Sequence, residues 1–272
     1  MSNVGIKSGV VSVIIPSRNE KYLKKTIIDV LAKATGDIEV IAILDGWWPA
    51  PEEFVEDSRV TYVHFSNARG MRNAINSGAA IAKGEYLMKI DAHCMMGDAF
   101  DELLKENCDF NWVVVPRRYP LDPERWVVEE RTDDKYPIDY MVLNDTLQGI
   151  PVKKKNDLPV DDLMTSQGSC WFMKKDYFDW LELLDESTYG TFWQEFQEVG
   201  LKCWLSGGRV VVNKKTWMAH WHKTEGRGYN LPAGEQEKTR EVVSRWRDKK
   251  MFHKQIHGLD WLFDRFNDDK QK

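Results

Sequence analysis

Through the first ninety residues, four short apolar runs alternate with stretches of helical spacing, and this alternation constrains the fold more than any other feature of the chain. Residues 10–16 form an apolar run closed by Pro16, which reads as a strand buried on both faces. Ser17-Arg18-Asn19-Glu20 then opens a helix whose apolar residues Ile27, Ile28 and Leu31 recur at helical spacing, and Gly36 ends it. Residues 38–44 give a second buried strand, ending in Asp45-Gly46, and residues 60–65 a third. Residues 67–81 carry Ala and Gly at close spacing, as in a helix packed tightly on a sheet, and residues 85–90 form a fourth strand. Strands of this kind joined by helical crossovers predict an α/β, Rossmann-like fold with a mostly parallel central sheet flanked by helices. Ligands on such sheets sit beyond the C-terminal ends of the strands, and Asp45 and Asp91 both stand at such ends.

The fourth strand runs directly into Asp91-Ala92-His93. In extended chain, residues two apart point the same way, so a carboxylate and an imidazole are presented together. A hard oxygen beside a borderline nitrogen suits Mn²⁺ or Mg²⁺, and such an ion can hold a diphosphate. For the tripeptide alone, a turn Asp next to a structural His is the competing reading.

Several function classes are excluded by what is missing. No Gly-rich dinucleotide fingerprint follows the first strand, and no Walker loop, nucleophile elbow or HExxH occurs. Nucleotidyltransfer uses the same sheet type but usually places a Gly-rich basic loop after the first strand, where this chain has Ser17-Arg18-Asn19-Glu20. A net charge of -5 argues against a globally basic nucleic-acid footprint. Cys94, Cys108, Cys170 and Cys203 are far apart with no CxxC, so neither a zinc site nor a disulfide framework is expected. The short polar start has no apolar core of a signal peptide, and no stretch is long enough to span a bilayer. The expectation is a cytoplasmic protein with no membrane partner; nothing in the sequence fixes its oligomeric state.

Residues 116–165 are rich in Pro and charge and read as a long irregular excursion on an acceptor side. A strand is expected at 168–173, helices at 176–184 and 190–204, a Gly207-Gly208 turn, a strand at 209–212, and a helical tail from about residue 235. Residues 1–222 are thus expected to form one domain, with a first half at about 10–95 that carries the strand-end site and an acceptor half at about 96–222. A flexible loop and helical tail would follow at 223–272. Between Lys223 and Lys254 nine Lys/Arg stand against five acids, with Trp246 among them. A basic helix with an aromatic can track phosphates, whereas a solvated face with ion pairs is the plainer reading.

Five pieces in order then resemble a known family. Residues 11–20 (VSVIIPSRNE) look like the opening strand of GT-A fold glycosyltransferases, particularly family 2 and the polypeptide N-acetylgalactosaminyltransferases. Residues 72–84 (RNAINSGAAIAKG) look like their helix before the metal motif. Asp91-Ala92-His93-Cys94 is similar to the Asp-x-His-Cys of the N-acetylgalactosaminyltransferase branch, where most family 2 enzymes carry Asp-x-Asp. Residues 195–198 (EFQE) and 202–209 (KCWLSGGR) resemble that branch's acidic helix and Gly-Gly turn, and Ala219-His220 falls where its third metal ligand stands.

The resemblance implies a metal-dependent transfer of a sugar from a nucleotide sugar, a UDP-sugar, to a hydroxyl. It implies that Asp91, His93 and His220 bind Mn²⁺ or Mg²⁺ across the two phosphates. His222, on the same extended face, is the competitor for the third position. Pro16, Asn19 and Glu20 would lie where the family holds its nucleoside. Asp45 matches a uracil-contacting Asp, with a turn Asp as the alternative. Arg72 matches an Arg facing the diphosphate or base, with a surface helix Arg as the alternative. Glu195 matches a carboxylate that deprotonates the acceptor hydroxyl in inverting members and orients substrates in retaining ones; Glu198, three residues on, shares its helix face. Arg227, between Gly226 and Gly228, falls where the family has a mobile loop closing over the donor and would neutralise charge on the leaving diphosphate, with a plain flexible linker as the alternative. Trp193-Gln194 replaces the branch's paired Gly, and residues 111–165 show no match, so the acceptor is not carried over. A glycan, a small metabolite, a protein, or a hydroxymethylated DNA base extruded from its duplex are the candidates. A non-catalytic nucleotide-sugar-binding module is the reading from another class.

Overall fold

The computed structural model describes residues 5–131, 136–154, 156–223, 226, 228–231, 233–248 and 251–267. Its elements, in chain order, are β1 (Lys7–Ser17), α1 (Leu23–Lys33), β2 (Ile38–Asp45), β3 (Val60–Phe65), α2 (Met71–Ile81), β4 (Gly84–Ile90) and β5 (Cys94–Met96). There follow α3 (Phe100–Lys105), β6 (Trp112–Asp122), β7 (Val127–Val128), β8 (Tyr140–Leu143), β9 (Gly149–Val152), β10 (Val160–Asp162) and β11 (Cys170–Lys174). The chain closes with α4 (Lys175–Trp180), α5 (Glu186–Tyr189), α6 (Glu195–Leu205), β12 (Arg209–His220), α7 (Glu235–Arg247) and α8 (Leu259–Arg265).

One large sheet organises the molecule, in the order β10-β12-β6-β11-β4-β1-β2-β3, with β5 on β12 and β7 on β6. Strands β3, β2, β1 and β4 are mutually parallel, as are β6 and β12; β11 is antiparallel to both neighbours and joins the two sets. Consecutive residues of β1 enter different cores. Ile14 belongs to the cluster with Ile41, Ile43 and Leu87, while Val13 and Ile15 belong to the one with Val40, Ala42 and Met88. That is the period-two signature of a sheet covered on both faces. Helix α2 lies close on it: a Cβ at Gly78 would meet Ile14 Cγ2 at 2.6 Å. The Ala/Gly spacing of this helix is what permits that approach.

The stretch expected to be irregular contains much of the second half of the sheet. β6 runs through Pro116 and Pro120, and the reason is where its ladder bonds are needed. β11 pairs with β6 only at Val113 and Val114, and beyond them that side of β6 meets only short partners, Ile138 opposite Arg118 and β7 opposite Leu121 and Asp122. Pro116 stands where the β6–β12 register shifts, between Asn213 and Trp217. A proline is tolerated at an edge or an irregularity because no donor is missed there.

Two expected helices are shorter. α4 stops at Trp180, and Glu182 and Leu183 have φ of 65° and 58°. α6 begins at Glu195 rather than at 190, because Gly190 (φ 79°) and Gln194 (φ 56°) break the path and residues 190–194 dock on the start of α2. The tail helices pack on the main core: Val242, Trp246, Leu259, Leu262 and Phe266 join Trp204 and Leu205. Trp246 is fully buried and donates to Tyr189 Oη at 2.6 Å, so it offers no ring to a nucleic acid. All four cysteines are free and buried. Among the described residues, no helix is long and apolar enough to cross a membrane.

Candidate active site

The ends of β1, β2, β4 and β12 and the start of α6 open onto one cleft with about 500 Å³ of room. Its chemistry begins inside β4. Lys89 interrupts an otherwise apolar run and lies two residues before Asp91, so both side chains leave the same face. Lys89 is fully buried, and its ammonium donates to Asp91 Oδ1 at 2.6 Å, to Glu195 Oε2 at 3.0 Å and to the Gly168 carbonyl. Glu195, at the first turn of α6, receives the Trp171 indole N–H on its other oxygen. Gly168 has to be glycine here, since a Cβ would come within 2.6 Å of Glu195 Oε2. The ammonium therefore ties the Asp-x-His strand end to the acidic helix.

With Oδ1 taken by Lys89, Asp91 turns Oδ2 the other way. It lies 3.2 Å from His220 Nε2 and 3.9 Å from His93 Nε2. Asp91, His93 and His220 together bring one ligand atom each within 4.8 Å of one another. β12 delivers His220 because it pairs with β5, His220 opposite Cys94, immediately after His93. His93 is oriented from behind: its Nδ1 is 3.1 Å from Glu20 Oε2, while Glu20 Oε1 accepts from Lys223 at 2.5 Å. A carboxylate on the far nitrogen is the usual way a ligating imidazole is aimed. One carboxylate oxygen and two imidazole nitrogens form a donor set that fits Mn²⁺.

The electrostatics follow from burial set against these contacts. Burial opposes the Lys89 charge, but Asp91 and Glu195 outweigh it and raise its pKa. Burial would raise the Asp91 carboxyl, yet Lys89 and the two imidazoles hold it well below the usual carboxylate range. Glu195 goes the other way, pushed up by burial that Lys89 only partly offsets. Burial pulls the His220 imidazole down to about 3, which leaves it neutral with a lone pair to offer.

Other expected residues divide. Pro16, Glu20 and Asp45 line the cleft. Both Asp45 oxygens accept backbone N–H groups, from Arg69 at 2.6 Å and Gly70 at 3.0 Å, which fixes the loop leading into α2. Asn19 has φ 54° and donates to the Gly228 carbonyl at 3.2 Å, and the Arg18 guanidinium lies 4.3 Å over the Tyr229 ring. The first turn thus holds the segment after β12. Arg227 lies outside the described residues. His222 lines the cleft and packs edge-on against His220, with ring centroids 4.7 Å apart, outside the ligand cluster.

Arg72 corrects the expectation that it faces a nucleotide or solvent. It is fully buried, paired with Glu198, donates to the Trp193 carbonyl at 2.6 Å and stacks 4.2 Å over Tyr189. Glu198 is equally buried and also takes Lys202 at 2.7 Å. The cause is the break at 190–194, which lays that segment over α2 and closes Arg72 in. Arg72→Met is expected to cost about 3 kcal/mol by leaving Glu198 with one cation fewer, as read by urea unfolding. Unchanged stability with lost nucleotide binding would return Arg72 to the cleft. Lys89 and Trp171 were not singled out from the sequence. A lone Lys in an apolar strand, in phase with Asp91, was the available signal for the first.

Comparison with known proteins adds the following. The model of the family "Glycosyl transferase family 2" matches residues 12–181. The chain is 32% identical over 106 residues to "Glycosyltransferase GlyG" of Streptococcus pneumoniae serotype 4, covering 37% of this chain and 33% of that one. It is 22% identical over 236 residues to "Putative polypeptide N-acetylgalactosaminyltransferase 13" of Drosophila melanogaster, covering 74% and 40%. These matches span less than half the length of either relative. Among solved structures it is similar to GalNAc-T7 with UDP, GalNAc and Mn²⁺, with a TM-score of 0.73 and 19% identity, covering 89% of this chain and 49% of that chain. At that identity the likeness concerns the fold alone.

Proposed function

Because the chain belongs to glycosyl transferase family 2 and has the GT-A fold, sugar transfer is the premise, and we propose that it moves a sugar from a UDP-sugar to a hydroxyl acceptor, assisted by a divalent cation. The observation that carries this reading is the convergence of Asp91 Oδ2, His93 Nε2 and His220 Nε2 in the cleft at the strand ends. A cation bound there, Mn²⁺ or Mg²⁺, would act as a Lewis acid on the departing diphosphate, where charge develops. The chain's own residues prepare that step. Lys89 keeps Asp91 Oδ1 occupied and leaves Oδ2 for the cation. Glu20 aims His93. Pro16 and Asp45 bound the nucleoside end of the cleft, which Gly226 and Tyr229 also line. Glu195, held at both oxygens, keeps a second lone pair on each and accepts from a sugar or acceptor hydroxyl.

The acceptor is the hydroxyl of a glycan, a metabolite, a protein or a hydroxymethylated DNA base. The exposed Arg245 and Arg247 of α7 support the last of these by charge alone, since Trp246 is withdrawn into the core. The test incubates the protein with Mn²⁺ and a panel of nucleotide sugars and measures released nucleoside diphosphate, then adds hydroxymethylated DNA and glycan acceptors. Turnover of one UDP-sugar, abolished by chelator, is expected. Metal-dependent binding of a nucleotide sugar without turnover under any acceptor would favour a binding module instead. Neither binding nor turnover would sink the proposal.

A further inference from the structure

Away from the cation cluster, Arg118 is the one buried cation of the acceptor half that meets no carboxylate among the described residues. It sits on β6, opposite Met218 of β12 and two residues short of the level of His220. Only 5% of it is exposed, and neither its Nε nor its Nη1 has a hydrogen-bond partner. Its Nη2 has a weak contact, 4.0 Å from Met141 Sδ. The neighbouring Arg117 shows the contrast: it takes both oxygens of Asp139, at 2.7 and 2.6 Å. Burial pulls the Arg118 guanidinium down only to about 10, so it is charged at neutral pH.

Among the described residues, then, Arg118 carries a buried charge with no counter-charge, a costly feature for a fold. Arg118 lines a small cavity with Asp139, Ser166, Ser169 and Met141, with room of about 10 Å³; both oxygens of Asp139 are held by Arg117. That is space for a single water-sized particle. A water fills the space but leaves the charge standing, and an oxyanion such as phosphate is too large. Guanidinium N–H groups donate only, and the two serine hydroxyls beside them can donate as well. We infer that this cavity is a monovalent halide site, taking chloride under ordinary conditions, with Arg118 Nε and Nη1 as its principal donors.

The site borders the cleft. Ser169 lines both cavities, and its carbonyl accepts the Asp91 backbone N–H at 2.9 Å. A halide there would brace β6 and the 166–169 turn behind the Asp-x-His strand end. The inference is independent of sugar transfer and can be read without a donor.

The test is a thermal melt of the whole protein in gluconate buffer, titrated with chloride or bromide at constant ionic strength, beside crystals soaked in bromide. Chloride and bromide are expected to raise the melting temperature saturably. At ~100 times its Kd, the ion would shift the folded-to-unfolded ratio roughly 100-fold. An anomalous bromide peak is expected against Arg118, and Arg118→Met should melt identically in both salts. Arg118→Lys, which keeps charge but not the fork, should respond more weakly. A wild-type melt indifferent to halide, or soaked crystals without the peak, would overturn the inference. A sulfate or phosphate response as large as that of chloride would overturn it too, by showing that the guanidinium opens to oxyanions from the cleft.

Discussion

Asp91→Asn is expected to abolish cation-dependent UDP binding and to lower sugar transfer by roughly 10³-fold, the scale of removing a Lewis acid from developing diphosphate charge. The change is nearly isosteric, and Lys89 keeps its bonds to Glu195 and the Gly168 carbonyl, so the fold should persist. What is lost is the anionic oxygen that faces both imidazoles. Calorimetry of UDP with and without Mn²⁺ separates this from a folding defect. The variant should bind no more tightly with Mn²⁺ than without it. His220→Ala should behave alike and His222→Ala should not, because only His220 lies in the ligand cluster. Full cation dependence surviving in Asp91→Asn would falsify the assignment of the cation to this strand end.

Lys89→Met should damage both stability and activity. It leaves the carboxylates of Asp91 and Glu195 in a buried site without their shared cation. Removing one member of such a group typically costs about 3–5 kcal/mol, most of it the penalty on the charges left behind. Two stranded carboxylates place this substitution toward the upper end, measured as a fall in ΔG of urea unfolding. Neutralising one of them should restore part of the loss, so Lys89→Met with Glu195→Gln is expected to be more stable than Lys89→Met alone. The coupling energy from the double-mutant cycle is the readout. An additive cycle would mean that the ammonium and Glu195 do not act on each other. For activity, the loss should appear in kcat and in Mn²⁺ affinity together, because Lys89 fixes which Asp91 oxygen is free.

The first half of the sheet was legible in the sequence because β1, β2 and β4 are largely buried apolar runs and the crossovers β1–β2 and β3–β4 carry helical spacing. Residues 10–16, 38–44, 60–65 and 85–90 all fall within observed strands. Asp91 and His93 were legible for a related reason: period-two alternation at a strand end is local information. What was not legible depends on partners distant in the chain. Pro116 and Pro120 argue against a strand until one knows that β11 leaves β6 after Val114 and only Ile138 and β7 take its place. Arg72 and Glu198 read as surface charges at helical spacing, yet they are 126 residues apart and neutralise each other in the core. Trp246 looked available for stacking because a basic helix shows its charges and hides which face is docked. Lys89 was visible as an oddity, but its role required Glu195 to arrive from 106 residues away.

The pairing of His220 with the strand end at Asp91 has a consequence for the protein's biosynthesis. The two residues are 129 apart in sequence. A ribosome adding about 5–20 residues per second would therefore take on the order of 6–26 s to supply the imidazole after the carboxylate has been made. During that interval the emerging β1–β4 unit can close its own sheet but holds only two of the three ligand groups. A chain stopped before β12 would lack the His220 imidazole. On the proposed cation site, competence to hold the cation would be acquired last, and cation-dependent protection of ribosome-bound chains against protease should first appear only once β12 has left the exit tunnel.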